Sequence, residues 1–273
     1  MTPSIDVSVV FPAFNEESRL EPTLREAVNY FKASGRSAEF IIVDDGSRDR
    51  TSALVRRMTR ELDGVRLIRL AANRGKGYAV RTGVLNAYGR TVLFADADGA
   101  TPMGEFSRVE AALNAGADVA IGSRVMRSDT VRVSARKYRR VIGRAFRALV
   151  RISTASDIQD TQCGFKLFKA RAAQDLFSRM RIDGFAFDVE VLLMARRCGY
   201  TVAEVPVNWT HQPGSRVNLV LDSMRMLRDL MVIRSHALRG HYDHPHVALW
   251  DEELALLGSA SEPGEAGQAL RAW

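Results

Sequence analysis

Two aspartates one residue apart are the side chains of this sequence best suited to chemistry. Asp96 and Asp98 follow a short apolar run, Val92 to Ala95, and precede Gly99. Such a run is typical of a buried strand in a parallel sheet, and open α/β sheets bind ligands at the carboxyl ends of their strands. Two carboxylates this close repel each other unless a cation lies between them, and hard oxygen ligands favour Mg²⁺ or Mn²⁺. The pair therefore predicts a divalent-metal site, although Asp and Gly are also common in solvated turns.

Further acids and amides follow the first two predicted strands. These strands are expected over Ile5 to Phe11 and Glu39 to Val43, and the polar residues after them are Asn15, Glu16, Asp44 and Asp45. Because the carboxyl ends of parallel strands meet at one edge, we expect these residues to share a site with the first pair. Acids rather than glycines at these ends favour hydrogen bonds to a base and ribose, with a cation holding a diphosphate. The Gly75-Lys76-Gly77 motif does not satisfy the Walker pattern, and no G-x-G-x-x-G follows the first strand.

The elements that position these residues alternate between strands and helices. Helices are predicted over 18–33 and 50–62 and from the Gly-Lys-Gly motif to about 88, and further strands over 65–70 and 118–121. Repeated strand–helix units predict an α/β fold with a Rossmann-like, mainly parallel sheet flanked by helices. After residue 122 the pattern changes: a long helix is predicted over 134–152, a strand over 201–207 and a last helix over 219–238.

The positive charge of the chain is concentrated in one segment. The net charge is +7, yet residues 124–151 alone contain ten arginines and lysines and a single acid, Asp129. This local charge predicts a local anionic partner. The helix over 134–152 sets an apolar stripe beside a basic face, which is typical of helices at membrane surfaces. A nucleic-acid partner is disfavoured because the segment lacks interleaved aromatic residues for stacking and the acidic strand ends would repel phosphate.

The composition of the chain disfavours several other classes of protein. Apolar residues make up 46% of the chain and charged residues 26%, which is typical of a soluble globular protein rather than a disordered one. No apolar stretch is long enough to span a bilayer, and Met1 to Asp6 does not resemble a secretory signal. Cys163 and Cys198 fit neither a zinc site nor a disulfide framework, so a reducing cytosol is expected.

Seven short motifs, taken together and in order, resemble a known family. Four are similar to signatures of family 2 GT-A glycosyltransferases: Pro12 to Glu16, Val43 to Ser47, Arg74 to Gly77 and Asp96 to Thr101. Three more resemble the branch that glycosylates polyprenyl phosphates: Gly122 to Arg124, Asp160 to Lys166 and Phe187 to Glu190. Dolichyl-phosphate β-glucosyltransferases are the most similar group, with dolichyl-phosphate mannose synthases next.

The resemblance implies an activity and an organisation. It implies metal-dependent, inverting transfer of a sugar from a nucleotide diphosphate sugar to a polyprenyl phosphate at the cytoplasmic membrane surface. It implies one GT-A domain over 1–240, with a nucleotide-sugar-binding half over 1–122 and an acceptor-binding half, including amphipathic helices, over 123–240. Residues 241–273 are expected to form a poorly ordered tail. Peripheral docking on anionic lipid is expected, and a membrane-protein partner or self-association stays open.

Residue roles follow from the resemblance by position. The implied donor-binding residues are Pro12, Ala13, Asn15, Glu16, Asp44, Asp45, Lys76, Gly77, Asp96, Ala97 and Asp98. Asp96 and Asp98 would also ligate Mg²⁺ or Mn²⁺. The implied acceptor-phosphate residues are Arg124, Arg139, Arg140, Arg144, Gln162 and Arg216. The implied catalytic residues are Asp98, Arg124 and Asp188, where Asp188 is either a general base or the N-terminal cap of a helix.

One departure from the family pattern affects the choice of sugar. Mannose synthases of this group often carry a glutamine two residues after the second metal aspartate, and this chain has Ala100 there. A third protein ligand would then be missing, and water or another side chain must replace it. The Asp-Gly-Ala-Thr form resembles the glucosyl branch, which favours UDP-glucose over GDP-mannose. A transferase with a soluble acceptor and an inactive donor-binding relative stay open as alternatives.

Overall fold

The computed structural model of the chain describes residues 5–126, 128, 130–134, 150, 158–212 and 219–243. The expected helix over 134–152 and the segment around Arg216 fall almost entirely outside these residues. No helix within the described ranges combines the length and hydropathy needed to cross a bilayer.

A seven-stranded sheet forms the centre of the fold and has the order β3-β2-β1-β4-β7-β5-β8. Its strands are β1 Val7–Ala13, β2 Ala38–Asp44, β3 Val65–Arg69, β4 Thr91–Ala95, β5 Val119–Ser123, β7 Phe165–Lys169 and β8 Val202–Pro206. Only β7 runs antiparallel to its neighbours, so the predicted mainly parallel α/β sheet is confirmed. A separate pair joins β6, Val133–Ser134, to β9, Trp209–Thr210.

Helices cover both faces of this sheet. They are α1 Leu20–Ala33, α2 Thr51–Glu61, α3 Lys76–Leu85, α4 Phe106–Asn114, α5 Ala170–Arg179, α6 Phe187–Arg197 and α7 Leu219–Leu238, with a 3-10 turn at Met103–Glu105. Successive strand residues point to opposite faces, so Val9 and Val10 belong to different core clusters. The cluster of Val9 includes residues of α1, α2 and α4, and that of Val10 includes residues of α3, α5, α6 and α7. Both faces of β1 and β4 are therefore mainly apolar, as their continuous apolar runs predicted.

The strand β7 was not predicted from the sequence. Its residues, Phe-Lys-Leu-Phe-Lys, carry two charges in an otherwise apolar run. Lys166 is nonetheless buried in the middle of the sheet, because the carboxylate of Asp188 pairs with it there. A charged residue is tolerated in a core only with such a partner.

The start of the expected C-terminal tail is ordered. Residues 241–243 form a turn after α7, and Tyr242 is buried with its hydroxyl donated to Glu190. The expectation of poor order is therefore wrong for these three residues, because a buried aromatic side chain fixes them. The remainder of that tail, 244–273, lies outside the described residues.

Candidate active site

The carboxyl ends of β1, β2 and β4 lie side by side at one edge of the sheet. The strand order reverses between β1 and β4, which is the point where open α/β sheets bind ligands. The ends are tied by backbone bonds: Asp45 N–H donates to Ala13 O over 2.8 Å, and Asp96 N–H donates to Gly164 O over 2.9 Å. Because β7 is antiparallel, the Asp160 to Gly164 loop that precedes it joins the same edge. The structure thus brings the three acidic loops together.

Asp96 and Asp98 both point to partly exposed surroundings at this edge. Oδ1 of Asp96 lies 2.7 Å from Nζ of Lys76. Oδ1 of Asp98 accepts the N–H of Ala100 over 3.0 Å, and its Oδ2 lies 3.7 Å from NH1 of Arg19. About a third of the Asp96 side chain and a quarter of the Asp98 side chain are exposed (33% and 27%), so a ligand can reach both carboxylates.

Two acids at this edge, Asp98 and Glu16, have a raised pKa. Burial raises the pKa of Asp98, and the charge of Asp96 raises it further. Burial also raises the pKa of Glu16, where Asp98 and Asp96 add to the effect although Arg19 opposes it. A cation bound here would relieve this repulsion, so the donor set fits a divalent ion. No group of three His, Cys, Asp or Glu suited to a metal occurs among the described residues, so the remaining ligands would come from a bound phosphate or water.

Lys76 is held at the site by the loop that precedes α3. Both oxygens of the Asp45 carboxylate accept backbone N–H groups of this loop, from Arg74 over 2.7 Å and from Gly75 over 2.9 Å. Gly75 adopts φ +109°, a left-handed conformation that suits glycine. Burial acts to lower the pKa of Lys76, but the charges of Asp96 and Asp188 raise it by more, so the ammonium stays charged.

The polar side chains in the loops after β1 and β2 form hydrogen bonds largely within these two loops. Asp44 is fully buried and accepts the N–H of Ser47 over 2.9 Å and the hydroxyl of Ser52. Asn15 adopts φ +56°, and its Oδ1 accepts the N–H of Arg48 over 2.9 Å. Three residues predicted to contact a donor therefore bond to the protein and shape one side of the site, namely Asp44, Asp45 and Asn15.

The other residues predicted to bind the donor lie in or next to the same loops. Pro12 is half-buried at the end of β1, whereas Ala13, Gly77 and Ala97 are buried. Glu16 is ion-paired with Arg19, and its backbone N–H donates to Oγ1 of Thr51 over 2.8 Å. Sequence reasoning missed Arg19, the cation that faces both Glu16 and Asp98. Its position three residues after Glu16, on the turn that enters α1, was the available signal.

Asp188 is buried, unlike the partly exposed Asp96 and Asp98. It is buried in the first turn of α6 and ion-paired with Lys166, whose Nζ also donates to Cys163 O over 2.6 Å. Burial raises the pKa of Asp188, against the charges of Lys166 and Lys76. The residue at the N-terminal cap position of α6 is Ala186, so the alternative interpretation of Asp188 as the cap is wrong. This placement gives Asp188 the geometry of a buried counter-ion.

Arg124 stands at the end of β5 and is bound by Asp160. Its Nε and NH2 donate to the two oxygens of that carboxylate, each over 2.7 Å, and its backbone N–H adds a third bond of 2.9 Å. Burial acts to raise the pKa of Asp160, but Arg124 lowers it by more, so the carboxylate is ionised. The guanidinium also lies 5.5 Å from the ring centre of Trp209. The sequence did not reveal Asp160 as the partner of Arg124.

The remaining predicted acceptor residues are only partly described. Gln162 is half-buried in the loop before β7, next to the buried Cys163. Arg139, Arg140, Arg144 and Arg216 lie outside the described residues, so their predicted roles stay predictions.

Comparison with known proteins gives a consistent set of relatives. A model of the family described as "Glycosyl transferase family 2" matches residues 8–177. The chain is 38% identical over 245 residues to the dolichyl-phosphate beta-glucosyltransferase of Drosophila melanogaster, covering 85% of this chain and 75% of that protein. It is 36% identical over 252 residues to the Homo sapiens protein of the same name, covering 88% and 78%.

Solved structures with a similar fold are more distant in sequence. Glucosyl-3-phosphoglycerate synthase from Mycobacterium tuberculosis, in complex with Mn²⁺, UDP-glucose and phosphoglyceric acid, superposes with a TM-score of 0.63 at 17% identity, covering 85% of this chain and 80% of that one. The same enzyme with Mg²⁺ and UDP gives a TM-score of 0.62 at 18% identity, with the same coverage. At this identity the likeness shows a shared fold.

Proposed function

The chain belongs to glycosyl transferase family 2, and from this premise we propose that it transfers glucose from UDP-glucose to a dolichyl-type polyprenyl phosphate. The observation that carries the proposal is the match to dolichyl-phosphate beta-glucosyltransferases over 85–88% of the chain, which includes its acceptor half. The motif-based identification of a glycosyltransferase of this family is confirmed. UDP-glucose as donor is supported by its presence in a structure of similar fold.

The donor site lies at the shared edge of β1, β2 and β4. Asp96 and Asp98 would hold a divalent ion of the kind present in the structures of similar fold. When bound, such an ion offsets the negative charge that grows on the leaving nucleoside diphosphate. Lys76, charged and 2.7 Å from Asp96, is placed to contact the same diphosphate. The buried loops around Asp44 give the nucleoside a preformed wall.

The transfer is a single displacement at the anomeric carbon of glucose. An oxygen of the acceptor phosphate forms a bond to C1 as the bond from C1 to the UDP oxygen breaks, and the electron pair leaves with UDP. Attack from the opposite side inverts the anomeric centre. The acceptor phosphate is already an anion at neutral pH, so the step requires no strong general base. The ion pair between Asp188 and Lys166 agrees with this, because it occupies the predicted base.

Arg124 is placed to bind the acceptor phosphate. Two of its guanidinium nitrogens are fixed by Asp160, and among the described residues none bonds to its NH1. The fixed guanidinium is thus preorganised for a phosphate, and about a quarter of the side chain (28%) is exposed.

The exposed face of α7 supports a location at a membrane surface. Among the side chains of α7 that the structure describes, from residue 224 onward, four large apolar ones are exposed: Met224, Leu227, Met231 and Leu238. At about 100° per residue they fall within a sector of roughly 60°. The other residues of α7 described as exposed are Arg225, Arg228 and Arg234, and none of the described exposed residues of α7 is acidic. Arg239, His241 and Asp243 are exposed in the turn that follows. An apolar stripe flanked by arginines fits the interface of an anionic membrane.

From this face of α7 we propose that the protein attaches peripherally to the cytoplasmic surface of the membrane that contains the acceptor lipid. The basic segment over 124–151 would add to this attraction, since each basic residue near an anionic surface contributes about 1 kcal/mol. The lipid phosphate would then reach Arg124 from the membrane side.

A panel of donors and acceptors tests the proposal. The protein is incubated with Mn²⁺ and either UDP-glucose or GDP-mannose, and the acceptor is either dolichyl phosphate in vesicles or soluble 3-phosphoglycerate. We expect glucosylated lipid from UDP-glucose and dolichyl phosphate, detected by mass spectrometry. Preferential transfer of mannose would contradict the donor, and transfer only to 3-phosphoglycerate would contradict the acceptor.

A further inference from the structure

Glu190 on α6 is a fully buried carboxylate that makes three hydrogen bonds. Its Oε2 accepts the backbone N–H groups of Arg181, over 3.0 Å, and of Ile182, over 2.8 Å. Its Oε1 accepts the hydroxyl of Tyr242 over 2.8 Å. One side chain therefore links the segment before α6 to the turn after α7.

Tyr242 is fixed from several directions. Its ring is buried, its carbonyl accepts the thiol of Cys198 over 3.2 Å, and its hydroxyl lies 3.3 Å from Nδ1 of His236. Burial raises the pKa of Tyr242, so the hydroxyl keeps its proton and donates. Arg197 adds a bond of 2.8 Å to Ala237 O. The turn after α7 is thus a rigid anchor for Glu190.

The segment bound by Glu190 supports the loop that carries Lys76. The carbonyl of Asp183 accepts the N–H of Tyr78 over 3.2 Å. A Cβ added at Gly77 would lie 2.5 Å from the carbonyl oxygen of Ile182, and a Cβ at Gly75 would collide with the carbonyl of Asp183. The two backbones are therefore in direct contact on either side of Lys76, and no side chain larger than hydrogen fits between them.

Arg81 on α3 strengthens this contact. Its NH1 donates to Met180 O over 2.7 Å, and its NH2 lies 3.2 Å from the carboxylate of Asp183. Movement of the segment 181–184 would consequently move the first turn of α3, and Lys76 with it.

We infer that Glu190 and Tyr242 are positioning residues for the nucleotide-sugar donor, acting through the segment 181–184 on the loop that presents Lys76 to Asp96. This inference rests on the proposed function, because it assumes that Lys76 contacts the donor. It gives Tyr242, in the turn after α7, a part in donor binding, although no described contact joins Tyr242 to the loop before α3.

A matched control is present in the same protein. Tyr200 donates its hydroxyl to Oδ2 of Asp175 over 3.0 Å, which is also a tyrosine–carboxylate bond in a half-buried to buried setting. Among the described contacts neither residue bonds to segment 181–184 or to the loop before α3. Tyr200→Phe therefore removes a similar bond without releasing Lys76.

The experiment compares wild type, Tyr242→Phe and Tyr200→Phe in steady-state kinetics and in calorimetric titration with UDP-glucose and Mn²⁺. Loss of one hydrogen bond of ordinary strength corresponds to about a fivefold change in an equilibrium constant. We expect Tyr242→Phe to raise the KM and Kd for UDP-glucose by about that factor, with kcat and the KM for dolichyl phosphate little changed. Tyr200→Phe should lower the Tm comparably and leave the donor KM within twofold of wild type.

A second pair of variants separates positioning from simple loss of core packing. Glu190→Gln keeps an oxygen for the two backbone N–H groups and should restore donor affinity to within about threefold, whereas Glu190→Ala should weaken it by more than Tyr242→Phe. Equal donor KM values for Tyr242→Phe and Tyr200→Phe would overturn the inference. Failure of wild type to bind UDP-glucose would instead overturn the proposed function, and the inference with it.

Discussion

The ammonium of Lys76 lies 2.7 Å from Oδ1 of Asp96. This ion pair joins the first residue of α3 to the residue that follows β4, so the cation and the two acids of the Asp-Ala-Asp motif form one charged site. A divalent ion at Asp96 would share the carboxylate with Lys76, and a diphosphate bound to the ion would lie near the ammonium.

Removal of the Lys76 charge should affect metal and donor in opposite directions. In Lys76→Met the affinity for Mn²⁺ alone should rise about fivefold, because a partly buried ion pair of ~1 kcal/mol no longer competes for Asp96. The affinity for UDP-glucose should fall by a similar factor, because the diphosphate loses a cation. Titration calorimetry measures both.

A lysine at the opposite edge of the sheet is the control for this variant. Lys169 pairs with Asp118 over 2.9 Å, so Lys169→Met also deletes a lysine–aspartate pair. It should change neither affinity. If Lys76→Met left both affinities at the wild-type value, the assigned contact with the donor would be refuted.

Substitution of either acid of the motif should abolish most of the transfer. We expect Asp96→Asn and Asp98→Asn to lower kcat by about 10²- to 10³-fold, as loss of a group that stabilises transition-state charge does. The Tm of Asp98→Asn should not fall, because the carboxylates repel each other, as the raised pKa of Asp98 indicates. Asp63 is exposed, and Asp63→Asn serves as the control for the loss of an aspartate charge. Turnover at the wild-type rate in either variant would count against the metal site.

The ion pair between Arg124 and Asp160 predicts a pH-dependent stability difference. In wild type burial acts to raise the pKa of Asp160, but Arg124 lowers it below the ordinary value of 3.8. The stabilisation by the ion pair is therefore present above pH 3.8 and is lost as the pH falls through the lowered pKa. In Arg124→Ala the guanidinium no longer lowers this pKa, and burial is opposed only by the backbone N–H of residue 124 and the charge of Lys166. We expect the pKa of Asp160 to be raised in this variant, so stability is lost as the pH rises through it. The difference in the free energy of unfolding between wild type and variant should therefore widen from pH 4 to pH 7, towards about 3 kcal/mol, as measured by denaturant titration at each pH.

The acceptor role of Arg124 needs a variant that does not leave Asp160 charged and unpaired. Arg124→Ala combined with Asp160→Asn should regain most of the lost stability, because no buried charge is left unpaired. Its KM for dolichyl phosphate should still rise at least tenfold, with the KM for UDP-glucose within twofold of wild type. Equal increases in both KM values would remove Arg124 from the acceptor site.

Polar substitution of the exposed stripe on α7 should weaken membrane binding. Met231→Gln together with Leu238→Gln should lower partition onto dolichol-containing anionic vesicles about tenfold, because two apolar side chains no longer enter the interface. Leu85→Gln, at an exposed apolar position on α3, should have no effect. Vesicle sedimentation measures the partition, and unchanged binding in the double variant would exclude this face.

The arginines beside the stripe give an independent test of the same surface. Arg228→Gln and Arg234→Gln should each weaken binding to anionic vesicles about fivefold, equivalent to ~1 kcal/mol, and leave binding to neutral vesicles unchanged. Similar losses on both kinds of vesicle would show that the arginines act through folding rather than charge.

The sequence predicted the parts of the fold that depend on apolar pattern alone. The runs that became β1 and β4 contain no charged residue, and β2 is apolar from Phe40 to Val43. Each of these runs is followed by an acid at its carboxyl end. The strand β7 escaped detection because Lys166 interrupts its pattern, and the partner that allows its burial, Asp188, lies 22 residues further along the chain. A local pattern carries no information about such a distant charge.

The residues that meet at the site were predictable from the sequence, whereas their contacts with the rest of the protein were not. The oxygens of Asp44 and Asp45 accept bonds from Ser47 and Ser52 and from the loop before α3, and their predicted contact with a donor stays a prediction. Asp188 likewise faces Lys166. Tertiary contacts decide which carboxylates stay exposed at the strand ends. Residue type and position after a strand do not distinguish the partly exposed Asp96 and Asp98 from the buried Asp44 and Asp45.

Anomalous diffraction from crystals grown with Mn²⁺ and UDP is the most direct test of the divalent-metal donor site. We expect one strong manganese peak within about 2.3 Å of carboxylate oxygens of Asp96 or Asp98, with the UDP diphosphate completing its coordination beside Lys76. A manganese peak elsewhere on the protein, or UDP bound away from the ends of β1, β2 and β4, would contradict the account.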